Sequence, residues 1–260
     1  MRRLLCANFS RLGKDMLFWS GVAVMALFSL YWVSQNPAGE PADSMFFYHT
    51  LILPFALAAI CALFIGTEYS DGTLRNKIVA GHTRSHVYFA NQITCLAAGA
   101  ALGLTSVFII AALGAPLFGF EKDGTTRLIC FMSLSFLNMA AFASLFTLMG
   151  MLIQNKSSAS VALLMSLVAI FALAVALNMR LEQPEFLRGS GAETTPNPAY
   201  MTGMPRQVSE ILFDALPSGQ AINLFQMKAP DPVRMAACSL SEILISTLLG
   251  VLVFRKRDIR

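Results

Sequence analysis

Four sets of residues in this sequence have the types and spacing to do chemistry. Glu242 is an acid inside the apolar stretch Met235–Phe254. An acid there costs roughly 2.5–3.5 kcal/mol on insertion scales, so it must face protein or water and not lipid. It can line a path, pair with a base, or lie shallow enough to reach the outer surface. Glu68 ends a second apolar run, and reads either as an ordinary boundary charge or as a hinge paired with Arg75 or Arg84. Asn138 is a polar side chain in mid-run, and joins Glu242 as a pathway candidate. His82 and His86 stand four residues apart, as two imidazoles sharing a metal on one helix would. Here no acid follows His82, Arg84 lies between them, and the segment crosses a helix stop, so no metal is expected. The chain also lacks a Gly-x-x-x-x-Gly-Lys-Ser/Thr phosphate loop, which excludes the usual mode of ATP binding.

The elements that must position these groups follow from composition. Of 260 residues, 56% are hydrophobic and 13% charged, and the mean hydropathy is +0.62, far outside the balance of a soluble domain. Six apolar stretches, Leu17–Val33, Phe46–Ile65, Val87–Leu113, Leu128–Ile153, Ala159–Leu177 and Met235–Phe254, are each about long enough to cross a ~30 Å hydrocarbon layer. In lipid every backbone polar group must be bonded internally, so these are helices. The expected fold is an all-α membrane protein with six transmembrane helices, forming one domain over residues 1–260. With the N-terminus inside, twelve of the 19 Lys and Arg residues fall on inner segments, and the base count and even span number both place the two termini in the cytoplasm. The first span reads as retained, because no small-x-small cleavage site follows it. The five cysteines suggest buried free thiols and no disulfide framework.

Between the spans the sequence offers three polar or amphipathic pieces. In residues 1–16, Leu5, Phe9, Leu12 and Met16 recur at helical spacing while Arg11 and Lys14 stay polar, which predicts an interfacial elbow helix. Segment 66–84 is a polar island between the second and third spans. There Asp71 is expected to cap a short helix, Leu74 and Ile78 share one face, and Gly81 stops it in the left-handed region. The largest exposed piece, about 178–234, holds seven of the 11 prolines. Its first part, Arg180–Met204, looks irregular. Its second part carries the stripe Val208, Ile211, Leu212, Ala215 and Leu216, followed by the break at Pro217-Ser218-Gly219 and a second apolar face from Ile222 and Phe225, as two small extracellular helices capping the spans would. Within the spans, Pro54 is a kink candidate, and Gly99 with Gly103 forms a small-xxx-small pattern that lets helices approach.

In order and spacing, the run from Glu68 through Gly72-Thr73-Leu74-Arg75 to Gly81 resembles the cytosolic coupling segment of type-2 ABC exporter permeases. The end of the chain, Gly250 through Phe254-Arg255-Lys256-Arg257-Asp258-Ile259, is similar to the family's terminal span and its exit. The resemblance implies a transmembrane subunit of an ATP-driven exporter, with Glu68, Gly72, Thr73, Leu74, Arg75, Lys77, Ile78 and Gly81 forming the ATPase-coupling element. It also implies separate ABC ATPase subunits that hold ATP and Mg, a second permease chain (identical or homologous), and no cofactor in this chain. The cargo it implies is amphipathic or hydrophobic (a peptide antibiotic, lipid or drug), as in bacteriocin-immunity and peptide-resistance exporters of the bacterial inner membrane. Membrane lipid is a further partner; nucleic acid is not. Leu216-Pro217-Ser218-Gly219-Gln220 is not the Leu-Ser-Gly-Gly-Gln signature of ABC ATPases: its pattern differs and the charge rule places it outside. Two alternatives keep their place at this level, an intramembrane enzyme using Glu242 and a non-transporting, ATPase-coupled membrane sensor.

Overall fold

The computed structural model describes residues 1–36, 41–121, 124–188 and 194–256. Among them, six helical segments are long and apolar enough to cross a membrane. The chain opens with α1 (Arg2–Lys14), turns at Asp15, and enters the first span α2 (Met16–Ser34). The Asp15 carboxylate accepts the Leu17 N–H at 2.9 Å, supplying one of the partners that a helix start lacks. A 3-10 turn at Ser44–Phe47 leads into α3 (His49–Ser70), which carries Pro54 in its interior. The short α4 (Thr73–Val79) follows, and α5 (Arg84–Ile109) returns outward, continuing through a π turn at Ile110–Gly114 into α6 (Ala115–Phe118). Helices α7 (Thr125–Leu152) and α8 (Lys156–Leu181) are the fourth and fifth spans. The tight turn between them is capped by Asn155, whose side chain accepts the Ser157 and Ser158 N–H groups.

Helix α3 is the axis of the bundle. It packs against α8, α7, α5 and α2, and its buried residues Leu57, Cys61, Phe64 and Ile65 anchor the main core. The glycine pattern on α5 meets two neighbours at once. A Cβ at Gly99 would collide with Met139 of α7 and Leu57 of α3, and one at Gly103 would touch Leu53 and Phe136. The backbones approach as closely as they do because these positions carry no side chain.

The segment between the fifth and sixth spans is more ordered than its proline content suggests. An antiparallel ribbon pairs β1 (Phe186–Arg188) with β2 (Thr194–Pro196), Phe186 lying opposite Pro196. The ribbon interrupts the expected irregular stretch, of which residues 197–203 carry neither helix nor strand. Two helices follow, α9 (Met204–Ala215) and α10 (Pro217–Phe225), before the last span α11 (Pro232–Lys256).

The stripe on α9 does not cap the bundle: Val208, Ile211 and Leu212 are each about half exposed, while Phe213 and Asp214 point inward. At the rim of a bilayer an outward apolar face meets lipid, so this orientation carries little of the cost it would have in water. Helix α10 is not a lid but a wedge. Every residue from Pro217 to Leu224 is buried, and the helix packs against α3, α7 and α8.

Two further expectations change. On α1 the buried residues are Leu4, Asn8 and Leu12, while Phe9 and Met16 are exposed, so the inward face is rotated and contains a polar residue. Of the free cysteines among the described residues, Cys61 and Cys95 are buried, Cys238 is partly buried, and Cys6 and Cys130 are exposed. The basic exit at Arg257–Ile259 and the loop residues Pro37 and Glu40 lie outside the described residues.

Candidate functional site

Near the C-terminal end of α3 the carboxylate of Glu68 is completely enclosed. Burying a lone charge is expensive unless cations and donors surround it. Here three side chains from three other helices converge on it. Arg11 of α1 donates to Oε1 at 2.9 Å, Lys77 of α4 makes an ion pair with the same oxygen, and Asn91 of α5 donates to Oε2 at 2.9 Å. A second layer locks the first. Asn8 donates to Asn91 Oδ1 at 2.8 Å and accepts from Lys77 Nζ at 2.9 Å. Arg11 also donates to the Phe64 carbonyl at 2.6 Å and lies over the Phe64 ring at 3.6 Å. One carboxylate thus ties α1, α3, α4 and α5 into a clasp. The sequence pointed to Arg75 or Arg84 as the partner of Glu68; both are displaced. Arg75 is exposed on the far side of α4, and Arg84 donates to the Phe254 carbonyl at 3.3 Å.

Helix α4 hangs from this clasp between two glycines. Gly72 adopts φ +66 and Gly81 φ +88, conformations that L side chains rarely accept. Gly81 stops the helix as its sequence suggested. The start differs, because Gly72 makes the turn, the Thr73 hydroxyl reaches back to the Glu68 carbonyl at 3.3 Å, and the Asp71 side chain accepts from Ser70 instead of capping. Leu74 is fully buried in the main core and Ile78 packs against it. The face left for the water phase carries Arg75, Asn76 and Val79, the last 79% exposed. Leu74 and Ile78 therefore hold α4 to the spans, and the surface open to a partner is the opposite one. Tyr69 adds a further tie, donating to the Met151 carbonyl at the end of α7 at 2.7 Å.

Residues 9–178, which contain this clasp apart from Asn8, match the family model for ABC-2 family transporter proteins. The chain belongs to the ABC-2 transporter family. No curated protein matches it. It is a multi-pass membrane protein and the permease component of a transporter.

In this ABC-2 permease the other two singled-out residues, Asn138 on α7 and Glu242 on α11, both lie near the start of α10. Asn138 is buried, and its amide donates to the Pro217 carbonyl at 2.8 Å, pinning the start of α10 to α7. Gln220 extends that contact. It accepts from the Ser239 hydroxyl at 2.6 Å and donates to the Asp214 and Met235 carbonyls. Asp214 is held by Arg234, with Nε to Oδ2 at 2.6 Å, and by Asn223. Burial pushes the Asp214 carboxyl above its ordinary value, and the Arg234 guanidinium pulls against that. Glu242 lies about 15 Å along α11 from Pro232 at ~1.5 Å rise per residue. That is near the middle of α11.

The residues that sequence reasoning missed are Asn8, Arg11 and Asn91. A signal for each was present. Asn8 and Arg11 sit three apart on one face of α1, and Asn91 is an amide inside an apolar span, where an unpaired polar group is costly.

Proposed function

We propose that this permease is the membrane half of an ATP-driven exporter. Two permease chains form one pathway, ABC ATPase subunits beneath them bind ATP and Mg, and both termini are cytoplasmic in a bacterial inner membrane. The observation that carries the reading is the enclosed Glu68 carboxylate, which joins the short cytosolic helix α4 to α1, α3 and α5 through Lys77, Arg11 and Asn91. A push on the exposed face of α4 is not absorbed by a loop. It reaches three helices at once, because breaking any arm of the clasp strands a buried charge. Closure of the ATPases then acts on Arg75 and Val79 and tilts α3 and α5 around the cargo path. An ATPase moves this equilibrium only by contacting the two states differently, and a helix held this firmly is a suitable contact. The apolar interior suits an amphipathic or hydrophobic cargo, such as a peptide antibiotic, a lipid or a drug.

The test is co-purification of the permease with an ABC ATPase encoded beside it. Val79→Asp combined with Arg75→Glu alters only exposed side chains, so the permease should still run as a monodisperse species while recovery of the ATPase falls at least tenfold. Unchanged recovery would remove α4 as the coupling surface. The intramembrane enzyme finds no support in the geometry. The Ser246 hydroxyl, one turn from Glu242, is bonded to the Glu242 and Ile243 carbonyls, so no hydroxyl–carboxylate pair forms there. The sensor reading differs only in lacking a cargo, and uptake of a labelled amphiphile into inverted vesicles separates the two.

A further inference from the structure

Around α9 three acids are paired with bases among the described residues. Arg234 is held by Asp214, Arg206 by Glu210, and Lys228 by Glu182. Glu242 has no such partner: its Oε2 is buried and makes no hydrogen bond among the described residues. It borders a groove of about 340 Å³ between α7, α8, α11 and the start of α10, whose walls include Leu145, Leu148, Ile170, Pro217, Ile245 and Leu249. Glu242 is the one charged residue in that lining. The groove is not sealed from its surroundings, since Ile245 and Leu249 are about half exposed on the same helix face. The nearest base along α11, Arg234, is engaged with Asp214.

An acid near the middle of α11, beside an apolar trough, has the complement of one kind of molecule. We propose that this groove binds an amphipathic cation, an amine or guanidinium on an apolar body, which enters sideways from the bilayer and sets its charge against Glu242. The apolar body lies along Leu145, Leu148 and Leu249 and leaves the lipid for a comparably apolar wall, so it contributes fit more than driving force. The charge supplies the selectivity. In a medium of low dielectric an ion pair is far stronger than in water, which offsets the cost of drawing the charged head from the interface to Glu242. A neutral amphiphile of the same shape gains at most one hydrogen bond from Glu242, and an anionic one is repelled. This deepens the exporter reading by naming its cargo class, and rests on that reading for transport though not for binding.

The experiment uses the full-length permease in nanodiscs, with its ATPase where the complex forms, and a dansyl-labelled dodecylammonium as the probe beside a dodecanol analogue with the same label. The expected result is that dodecylammonium binds the wild type at least tenfold more tightly than it binds Glu242→Gln. The alcohol should bind both equally weakly, and Leu145→Trp, which fills the trough, should abolish cation binding. Because Glu242→Gln keeps the shape of the side chain, an unchanged elution profile shows it is folded. Equal cation binding by wild type and Glu242→Gln overturns the proposal, and so does equal binding of cation and alcohol to the wild type. A spontaneous Ile245→Cys cross-link between two chains that survives saturating probe also overturns it, since a second copy would then fill the groove. Cation binding without transport would refute the exporter reading and leave this site standing; ATP-driven transport of other cargo with equal binding to both variants would do the reverse.

Discussion

Glu68 carries more connections than any other charged side chain described. Its replacement therefore separates a structural clasp from a surface charge. Glu68→Gln leaves Arg11 and Lys77 facing each other without a counter-charge. Loss of one partner from a buried ionic cluster costs about 3–5 kcal/mol, so the thermal midpoint in detergent should fall clearly. Lys77→Met added to Glu68→Gln removes one stranded cation, and the double variant should recover part of that loss. A double variant no more stable than Glu68→Gln would mean that Lys77 and Glu68 are not coupled. The acid itself was legible in the sequence as a charge ending an apolar run. Its partners were not, because Arg75 and Arg84 are near in sequence while Arg11 is 57 residues away and reaches Glu68 only through the fold of α1 against α5.

At the scale of elements, α4 and α10 show how far a pattern of apolar residues can be read. Leu74 and Ile78 do share a face, as their spacing dictates, but only the packing of the spans shows that this face is the buried one. Accordingly Leu74→Asp should damage the permease itself, with loss of monodisperse protein, whereas Val79→Asp should leave it intact and act on a partner. Monodisperse recovery of Leu74→Asp would contradict that placement. Helix α10 read as half of an amphipathic cap, yet it is enclosed on every side and held by Asn138, Thr50 and Ser218 through its backbone or the adjoining carbonyls. Asn138→Leu removes the bond to the Pro217 carbonyl, which still accepts within α10, a loss of ~0.5–1.5 kcal/mol. The region from 204 to 225 should then be cut earlier by an external protease than in the wild type; an unaltered cleavage rate would show that α10 is held by packing alone.

For the whole molecule, six spans and the basic inner segments predict one topology, and the position of α4 makes it measurable. Gln35→Cys ends α2 on one side and Arg75→Cys stands exposed on α4 on the other. In intact cells a membrane-impermeant maleimide should label the first and spare the second, and inverted vesicles should give the opposite pattern. Labelling of both from the same side would overturn the assignment of α4 to the cytoplasm and with it the coupling reading.

The sequence by itself determined the number of spans, the all-α class, the position of the short helix between Gly72 and Gly81 and the acids worth following. These depend on local quantities: the length of an apolar run, the scarcity of charge within it and the backbone freedom of glycine. Tertiary structure alone decided which way each amphipathic face points. Val208, Ile211 and Leu212 turn outward and Leu74 turns inward, although both stripes have the same periodicity. A helix in a membrane protein can bury its apolar face against protein or against lipid with similar gain, so hydropathy does not choose between them. The partners of buried charges are likewise a matter of fold. Glu68 finds Arg11, Lys77 and Asn91 because four helices meet at its depth, whereas Glu242 Oε2 has no hydrogen-bond partner among the described residues.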